Sequence, residues 1–524
     1  MTTRPLAAVL ADTAARRPDH PALIWGSEVV TYDRLWERAR RFAGTLRRQG
    51  IGPGDRVALL VPNTPDFPAA YYGVLALGAT VVPLNVQLRA GEIEFVLRDS
   101  GARALVCAAE VLATGAPAAA AAGSVLFTVA GEQSAGEHPG AIRLDAPGGP
   151  GAAAPVEGHF PSAPEDIAAI LYTSGTTGHP KGAMLSHRNI VTNIEVTAVS
   201  PFDVRADDVL LGCLPLSHTF GQTCGMGTFF LAGATIVLMP RFSAATALEL
   251  MAAHGCTVLM GVPTMYHALL EAVAAGDGPA PALRRAYSGG SALAVPVLEQ
   301  VRRTFGCEVY EGYGLTETSP CVAYNRPGRP CRPGTVGVPI DGVEVGIACA
   351  QCEGTVELLP PGEVGEIVVR GHNVMAGYLG SPGTTAEVLV DGWFRTGDLG
   401  VRSAADGFLT IVGRTKDVII RGGYNVYPRE VEDVLLRHRA VEQVAVVGLP
   451  DPRHGEEVCA VVVVRPGITG SEKLAGELMT YGRVRLAGYK YPRRVEFVEE
   501  FPLGISGKVL KRELVSRLQV PVSS

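Results

Sequence analysis

Short apolar runs alternate along the first half of the chain with longer segments whose apolar residues recur at helical spacing. Arg56–Val61 and Ala79–Val82 are typical of buried strands, and the apolar segment Pro65–Leu77 between them predicts a helix. Thr31 is placed to cap another helix, which runs to Gly50. Such alternation is typical of βα units, so we predict an α/β protein with mostly parallel sheets.

The alternation is interrupted once and then resumes. From Ala108 to Pro164 the sequence is rich in alanine, glycine and proline, and we interpret this stretch as variable surface loops. The βα pattern returns after a buried strand at Ile167–Leu171. Gly334–Arg370 instead contains short strands separated by Gly/Pro turns, which predicts a small antiparallel β-barrel.

A change of pattern at Gly413–Arg414 marks the predicted domain boundary. Beyond it come a strand at Val418–Ile420, a helix at Pro428–His438, further strands and a charged tail. We therefore predict a large N-terminal domain, residues 1–413, built from βα subdomains and the small barrel. A small α+β C-terminal domain, residues 414–524, follows it.

Composition limits the classes of function. Of the 524 residues, 47% are hydrophobic and 19% are charged, which is typical of a globular protein rather than a disordered one. The net charge of −6 argues against a nucleic-acid-binding protein, which usually carries a basic surplus. The N-terminus lacks the continuous hydrophobic region of a signal peptide.

One uncharged segment, Thr219–Pro240, is long enough to cross a bilayer. Glycines interrupt it, and its end is rich in β-branched residues. A buried helix, a glycine turn and a buried strand explain this segment better than a membrane span does.

The ten cysteines are scattered, and only Cys349 and Cys352 form a CxxC. There is no second pair at zinc-finger spacing, so we favour a reduced turn over a metal or redox site. These features predict a cytoplasmic protein without a membrane span.

Glycines and hydroxyl side chains are concentrated in Tyr172–Gly182, directly after the strand at Ile167–Leu171. Glycine permits backbone angles that turn several N–H groups toward one point, and Lys181 adds a positive charge. Such a loop suits a polyphosphate, although a flexible surface loop has the same composition. It is not a Walker A loop, because Pro180 and Gly182 occupy the positions of its second glycine and its magnesium-binding Ser/Thr.

The sequence of this stretch, YTSGTTGHPKG, resembles the phosphate loop of the adenylate-forming superfamily. That superfamily includes acyl-CoA synthetases, non-ribosomal peptide adenylation domains and firefly-type luciferases. The resemblance covers about residues 5–515, with the other family motifs in order, and it implies that this loop holds the β- and γ-phosphates of ATP. The phosphate-binding residues implied are Thr173, Ser174, Gly175, Thr176, Thr177, Gly178 and Lys181.

A second family motif lies at Tyr310–Thr318. Magnesium prefers one or two carboxylates together with phosphate oxygens, which suits Glu317 as its ligand. The resemblance implies that the Thr316 hydroxyl bonds the α-phosphate and that Tyr313 stacks on adenine. An exposed helix cap would explain the same residues without a ligand. The nucleotide-binding residues implied by this motif are Glu311, Gly312 and Tyr313.

The turn after the predicted strand Arg285–Tyr287 is also rich in glycine, which lets a flat base lie against bare backbone. The resemblance implies that adenine lies beside Gly289, Gly290 and Ser291. An ordinary strand-to-helix turn would allow the same residues.

His218 follows the predicted strand Val209–Leu211. A lone histidine in such a position is more often structural. In the resembled family, a histidine or aromatic residue here borders the carboxylate pocket and shifts between the two half-reactions. We therefore expect His218 to be a substrate-pocket residue rather than a general base.

Asp398 lies in Trp393–Gly400, which resembles the ribose-binding motif of the family. A carboxylate accepts two hydrogen bonds at once, so Asp398 suits both ribose hydroxyls. The resemblance implies that Arg414 adds a further ribose contact and that Lys416 is the hinge of a mobile C-terminal lid.

The turn at Gly422 and Gly423 resembles the one that enters the active site when this lid has rotated. Its glycines would let a pantetheine arm pass close to the backbone.

Lys508 lies in a Gly-rich loop near the C-terminus. A lysine in a charged tail is usually solvated. In the resembled family this lysine bridges the carboxylate and the α-phosphate and neutralises charge as the acyl oxygen attacks phosphorus. We therefore predict a catalytic role for Lys508.

The resemblance implies a ligase that uses ATP and Mg²⁺ to convert a carboxylic acid into an acyl-adenylate and transfers the acyl group to coenzyme A. A separate acyl carrier protein as the acceptor and a relative that performs one half-reaction stay open, as does a homodimer. A luciferase-like oxygenase is a remote alternative. The expected acid pocket, which has no arginine, is built from His218–Gly221, Gly261–Thr264 and Gly289–Leu293, so we predict a hydrophobic acid.

Overall fold

The structure is a computed structural model, and it describes residues 4–129, 140–144, 154–173, 180–352, 354–503 and 509–519. The strands of the N-terminal part are β1 (Pro21–Trp25), β2 (Glu28–Thr31), β3 (Arg56–Leu60), β4 (Thr80–Pro83), β5 (Ala104–Ala108), β6 (Val125–Val129), β7 (Ile142–Arg143), β8 (Ile167–Thr173), β9 (Lys181–Ser186), β10 (Val209–Gly212), β11 (Thr235–Leu238), β12 (Val258–Gly261), β13 (Arg285–Ser288), β14 (Val309–Gly314), β15 (Cys321–Tyr324) and β16 (Val338–Pro339). The later strands are β17 (Val343–Ala348), β18 (Val364–Gly371), β19 (Gly377–Tyr378), β20 (Leu389–Val390), β21 (Trp393–Arg402), β22 (Leu409–Arg414), β23 (Ile419–Arg421), β24 (Tyr424–Val426), β25 (Val441–Asp451), β26 (Gly455–Val464) and β27 (Arg494–Phe497).

The α-helices flank these strands. They are α1 (Ala7–Arg16), α2 (Tyr32–Arg48), α3 (Asp66–Ala76), α4 (Ala90–Ser100), α5 (Leu112–Ala122), α6 (His187–Val199), α7 (Thr228–Ala232), α8 (Ala244–His254), α9 (Pro263–Ala275), α10 (Val295–Phe305), α11 (Pro382–Val388), α12 (Pro428–Leu435), α13 (Glu472–Arg485) and α14 (Lys511–Gln519). A π-helix, Phe220–Gly227, directly precedes α7.

The predicted βα alternation gives two large sheets. The first has the order β19-β9-β8-β4-β3-β5-β6-β7, and it is parallel from β8 to β7. The second has the order β16-β15-β14-β13-β12-β10-β11-β1-β2, and it is parallel from β14 to β1. Parallel strands need crossover connections, which the helices between them supply.

The predicted small barrel is a curled antiparallel half-barrel of order β17-β18-β21-β20, and β22 also pairs with β21, further along the strand than β20. A further small sheet of order β24-β23-β26-β25, with β27 beside β26, forms the C-terminal α+β unit together with α12 to α14. The fold class predicted from the sequence is therefore confirmed. The boundary at residue 413 stays a prediction.

One hydrophobic cluster joins both large sheets to the half-barrel. It contains Val57 and Val81 of the first sheet, Leu210 and Ile236 of the second and Ile347 of β17. Burial of these apolar side chains fixes the relative positions of the loops that leave the three sheets.

Local predictions agree with the structure at several points. The Thr31 hydroxyl accepts a hydrogen bond from Arg34 N and caps α2, as predicted. The uncharged segment Thr219–Pro240 folds into the π-helix, α7, a left-handed turn at Gly233 (φ 77°) and β11. No helix among the described residues combines the length and the apolar character that crossing a membrane requires.

The interpretation of Ala108–Pro164 as surface loops is wrong in part. This stretch contains α5, β6 and β7, and residues 130–139 and 145–153 of it lie outside the described residues. Alanine has the highest helix propensity, and a Cβ on Gly115 of α5 would come within 2.5 Å of Cys107 Sγ in β5. The small residues therefore let this helix pack closely on the sheet.

Candidate active site

One group of candidate residues lies at the carboxyl ends of the parallel strands β8, β13 and β14, where ligands bind in open α/β sheets. Ser288 of β13 is the register partner of Glu311 in β14. The turn that begins at Gly289 therefore lies beside the segment of β14 that contains Gly312.

The phosphate loop connects β8 to β9, which pair antiparallel and bring Thr173 opposite Lys181. Ser174, Gly175, Thr176, Thr177 and Gly178 lie outside the described residues. The two flanking candidates, Thr173 and Lys181, are half-buried. They fix the two ends of the loop at one edge of the first sheet.

Glu317 contacts the first end of this loop directly and is connected to the second end through Tyr378. Thr173 Oγ1 donates a hydrogen bond to Glu317 Oε1 at 3.4 Å, and the Tyr378 hydroxyl donates to the same oxygen at 2.9 Å. Lys181 Nζ lies 5.6 Å from the centroid of the Tyr378 ring. One half-buried carboxylate, two hydroxyls and one ammonium group thus converge where the loop begins and ends.

This arrangement fits a magnesium ion. Both hydrogen bonds that the described residues make to the Glu317 carboxylate go to Oε1. The other oxygen is thereby left for a cation, and magnesium typically uses one or two carboxylates together with phosphate oxygens.

Backbone contacts position Glu317 further. It lies in the short 3₁₀ turn Thr316–Thr318, and its carbonyl accepts a hydrogen bond from Met375 N at 2.9 Å. Two residues later, β19 pairs with β9, with Tyr378 opposite Ala183. The segment that ends at Tyr378 therefore connects the Thr316–Thr318 turn to the phosphate loop. Sequence reasoning missed Tyr378, since no local pattern marks it.

A second group of candidates gathers around Asp398. The Tyr313 hydroxyl donates to Asp398 Oδ2 at 2.7 Å, and Arg414 Nε lies 2.8 Å from Oδ1. Asp398 and Arg414 are register partners in β21 and β22. Burial and then the negative charge of Asp398 raise the pKa of Tyr313 well above its usual value, so its hydroxyl stays protonated and donates.

The turn after β13 has backbone exposed to solvent at Gly290 and Ser291. Gly290 has a left-handed φ of 81°, which favours glycine. A Cβ on Gly289 would lie 3.2 Å from Phe220 Cε1, so the glycine lets this aromatic ring pack against the backbone.

Glu311 is the buried anchor of this turn. Its Oε1 accepts a hydrogen bond from Leu293 N at 2.9 Å, whereas no described residue bonds to its Oε2. Burial raises the pKa of Glu311 to about 7. The side chain is 3% exposed, and it holds the turn onto β14.

Gly312 is required by its neighbour across the β14–β15 pair. A Cβ at this position would lie 2.1 Å from Tyr324 Cζ, because the Tyr324 ring crosses directly over the glycine. Position 312 therefore has no space for a side chain while Tyr324 keeps this orientation.

His218 is exposed and precedes the π-helix. Its Nδ1 accepts a hydrogen bond from Phe220 N at 3.2 Å. Close to this helix lies a narrow apolar cavity. The cavity is lined by Leu210, Leu211, Gly212, Leu214, Leu216, Gly221, Gly225, Met226, Ile236 and Met260.

The C-terminal candidates that the structure describes are exposed. Lys416 lies in the turn Thr415–Asp417 directly after β22. Gly422 and Gly423 form the tip of the β23–β24 hairpin with φ values of 57° and 83°, a backbone that favours glycine at both positions. Lys508 lies outside the described residues.

Comparison with known families assigns almost the whole chain. Residues 10–379 match the model of the AMP-binding enzymes, and residues 430–508 match that of the AMP-binding enzyme C-terminal domain.

Curated relatives and solved structures agree with this assignment. A feruloyl-CoA synthase of an Amycolatopsis species is 38% identical over 96% of this chain and 97% of the relative. The long-chain-fatty-acid–CoA ligase of Bacillus subtilis is 34% identical over 98% of this chain and 95% of the relative. The crystal structure of ATP-bound MatB from Rhodopseudomonas palustris superposes with a TM-score of 0.88 at 32% identity and covers 99% of both chains.

Both family models match in the expected order. The two relatives are named as acid–CoA ligases, and the match covers 95% and 97% of their length. The chain therefore belongs to the AMP-binding enzymes of the adenylate-forming superfamily, and it is an ATP-dependent, AMP-forming acyl-CoA ligase.

Proposed function

We propose that this ligase activates a hydrophobic carboxylic acid as its acyl-adenylate, with MgATP bound at Glu317 and the phosphate loop. The observation that supports this assignment best is the convergence of Thr173, Tyr378 and Lys181 around the Glu317 carboxylate. A polyphosphate held between the ends of the loop would lie beside that carboxylate.

In the first step the carboxylate attacks the α-phosphorus of ATP and pyrophosphate leaves. Two anions approach each other, so the site must concentrate positive charge. We assign Lys181 to the phosphates, Thr316 to the α-phosphate and Lys508 to the carboxylate and α-phosphate. Magnesium at Glu317, when bound, would neutralise phosphate charge.

The ribose is the proposed ligand of Asp398. Its two oxygens already face two donors, the Tyr313 hydroxyl and the Arg414 guanidinium. Ribose hydroxyls would donate to the remaining lone pairs of the carboxylate, while Arg414 keeps it oriented. Adenine would lie between Tyr313 and the Gly289–Ser291 turn, which Glu311 anchors from below.

In the second step the C-terminal domain, residues 414–524, rotates about Lys416. We propose that this rotation withdraws Lys508 and brings the Gly422–Gly423 hairpin tip to the adenylate. The positive φ values of both glycines support this role, since a turn without side chains gives a pantetheine arm room to pass. The CoA thiol then attacks the acyl carbon, and AMP leaves.

The acid is proposed to be a fatty acid or an aromatic acid. The cavity near the π-helix, at about 10 Å³, is too small to hold an acyl chain, but its lining of apolar side chains and glycines favours an apolar acyl group in this region. The relatives' names, a feruloyl-CoA synthase and a long-chain-fatty-acid–CoA ligase, support both subclasses. We propose His218 as the residue that borders the carboxylate end. Because ATP and CoA are its substrates, we expect the enzyme in the cytoplasm.

A panel of acids tests the proposal. Fatty acids of increasing length, cinnamic and benzoic acids and short dicarboxylic acids would each be incubated with ATP, Mg²⁺ and CoA, and pyrophosphate and thioester would be measured. We expect both products with at least one apolar class and neither with dicarboxylates. Turnover restricted to dicarboxylates, or pyrophosphate without a CoA thioester unless a holo-carrier protein is supplied, would overturn the proposal.

A further inference from the structure

The CxxC motif has no role in the proposed reaction, and it lies in the turn that follows β17 of the half-barrel. Cys349 directly follows β17, and its N–H donates to Glu357 O at 2.9 Å, which closes a hairpin around both cysteines. The Cys349 and Cys352 side chains are partly exposed, whereas Cys107 and Cys213 are buried. A dissolved reagent can therefore reach the pair.

One guanidinium group holds the two ends of this turn together. Arg395 Nη2 donates to Cys349 O at 3.3 Å, and Arg395 Nη1 donates to Cys352 O. Both nitrogens belong to the same rigid planar group, so the two cysteine backbones are kept close. A disulfide requires such proximity between the two residues.

The two thiols also differ in reactivity. The hydrogen bond from Cys352 lowers the pKa of Cys349, and the same contact raises the pKa of Cys352 to about 11. Burial instead raises the pKa of Cys107 and Cys213 to about 12. Since the thiolate is the nucleophile, Cys349 is suited to attack and Cys352 to complete the exchange.

We infer that Cys349 and Cys352 form a redox modification site that exchanges with small-molecule disulfides such as oxidised glutathione. The Cys349 thiolate attacks one sulfur of the reagent and releases one thiol, which leaves a mixed disulfide. Cys352, after losing its proton, attacks Cys349 Sγ and releases the second thiol. The protein loses two hydrogens and is oxidised, and one small disulfide is reduced to two thiols.

The turn is connected to the proposed ribose site. Arg395 Nη2 lies 2.6 Å from Glu366 Oε2, and Glu366 Oε1 accepts a hydrogen bond from Gly397 N at 2.9 Å. Asp398 is the next residue. Formation of the Cys349–Cys352 disulfide draws the two cysteines together and changes the positions of the two carbonyls that Arg395 binds. The strand that carries Asp398 therefore shifts. This effect on ATP binding rests on the proposed role of Asp398, whereas the thiol chemistry does not.

The experiment incubates the full-length enzyme with oxidised and reduced glutathione at several ratios, then quenches with acid, alkylates free thiols and measures mass. We expect the wild type to lose two hydrogens and two alkylation sites at residues 349 and 352. Cys352→Ser should instead accumulate one glutathione adduct on Cys349, because the second thiol is missing. Cys331→Ser, which changes a partly exposed cysteine elsewhere, should behave as the wild type does.

The proposed site is overturned if the wild type keeps both thiols or if the Cys352→Ser variant forms no glutathione adduct. It is also overturned if the two cysteines bind zinc and resist exchange. We expect oxidation to raise the KM of the wild type for ATP by about threefold or more, which corresponds to the loss of one hydrogen bond. The same treatment should leave the KM of the Cys349→Ser variant for ATP unchanged. A disulfide without this shift overturns the connection to the ribose site. If Asp398→Asn also leaves the KM for ATP unchanged, the proposed ribose role is what has failed.

Discussion

The Tyr378 hydroxyl donates a hydrogen bond to Glu317 Oε1 at 2.9 Å, and the Lys181 ammonium lies over the same tyrosine ring. Tyr378 lies on β19, which pairs with β9 directly after the phosphate loop. Strand pairing therefore orients the proposed magnesium carboxylate relative to the loop. Tyr378 is a positioning residue in this arrangement.

Tyr378→Phe should leave the Glu317 carboxylate less well oriented and so weaken magnesium binding. The substitution keeps the ring under Lys181 and removes one hydrogen bond to a carboxylate, which is worth about 1–2 kcal/mol. We expect the magnesium concentration for half-maximal pyrophosphate release to rise roughly 5- to 30-fold, at a little-changed KM for the acid. A titration with Mg²⁺ that superposes on the wild type would refute the positioning role.

Asp398→Asn should impair recognition of the ribose. The amide loses the negative charge that Arg414 and the ribose hydroxyls share, so the KM for ATP should rise about 10- to 100-fold.

Comparison with 2′-deoxy-ATP makes this prediction specific. The wild type should discriminate against the deoxynucleotide, and Asp398→Asn should discriminate much less, because the partner of the 2′-hydroxyl has been altered. Equal discrimination by both proteins would contradict the assignment.

Glu311 makes stability depend on pH. Its folded pKa of about 7 lies above the ordinary 4.5, so the folded state binds the proton more tightly than the unfolded state does. The stability gained from this proton is fully present below pH 4.5 and is lost as the pH rises through 7.

Glu311→Gln keeps an oxygen for Leu293 N and removes the ionisation. At pH 8 the free energy of unfolding of the variant should therefore exceed that of the wild type by roughly 3 kcal/mol at most. The variant should accordingly unfold at a higher temperature. The difference should vanish below pH 4.5. Thermal unfolding without nucleotide at both pH values measures this difference in stability. A difference that is independent of pH would show that burial does not raise the pKa of Glu311.

Lys508→Ala should separate the two half-reactions. The lysine is proposed to act only while the carboxylate attacks phosphorus, so acyl-adenylate formation should be abolished. Thioester formation from a supplied acyl-adenylate and CoA should persist. Equal loss in both assays would argue against a residue that leaves the site between the steps.

The sequence predicted local features better than distant contacts. Strands, helices and glycine turns depend on neighbouring residues, so Thr31 as a cap and the glycines near β13 could be recognised directly. The hydrogen bond between Tyr378 and Glu317 spans 61 residues, and that between Thr173 and Glu317 spans 144. Such contacts depend on strand order, which periodicity does not contain.

The helix α5 was missed for another reason. Its residues are mostly alanines and give no apolar face with a helical period, although Gly123 ends the helix in a left-handed conformation. An alanine-rich composition without this period favours a loop interpretation. In the structure, the small residues instead allow a helix to pack closely beside Cys107.

The Tyr324 ring over Gly312 couples the residue at position 312 of the proposed nucleotide site to the residue at position 324. A larger residue at 312 collides with the ring, and this collision is relieved only when position 324 also becomes small. Natural variants of this enzyme should therefore exchange both residues together, and libraries that diversify position 312 alone should return glycine almost every time.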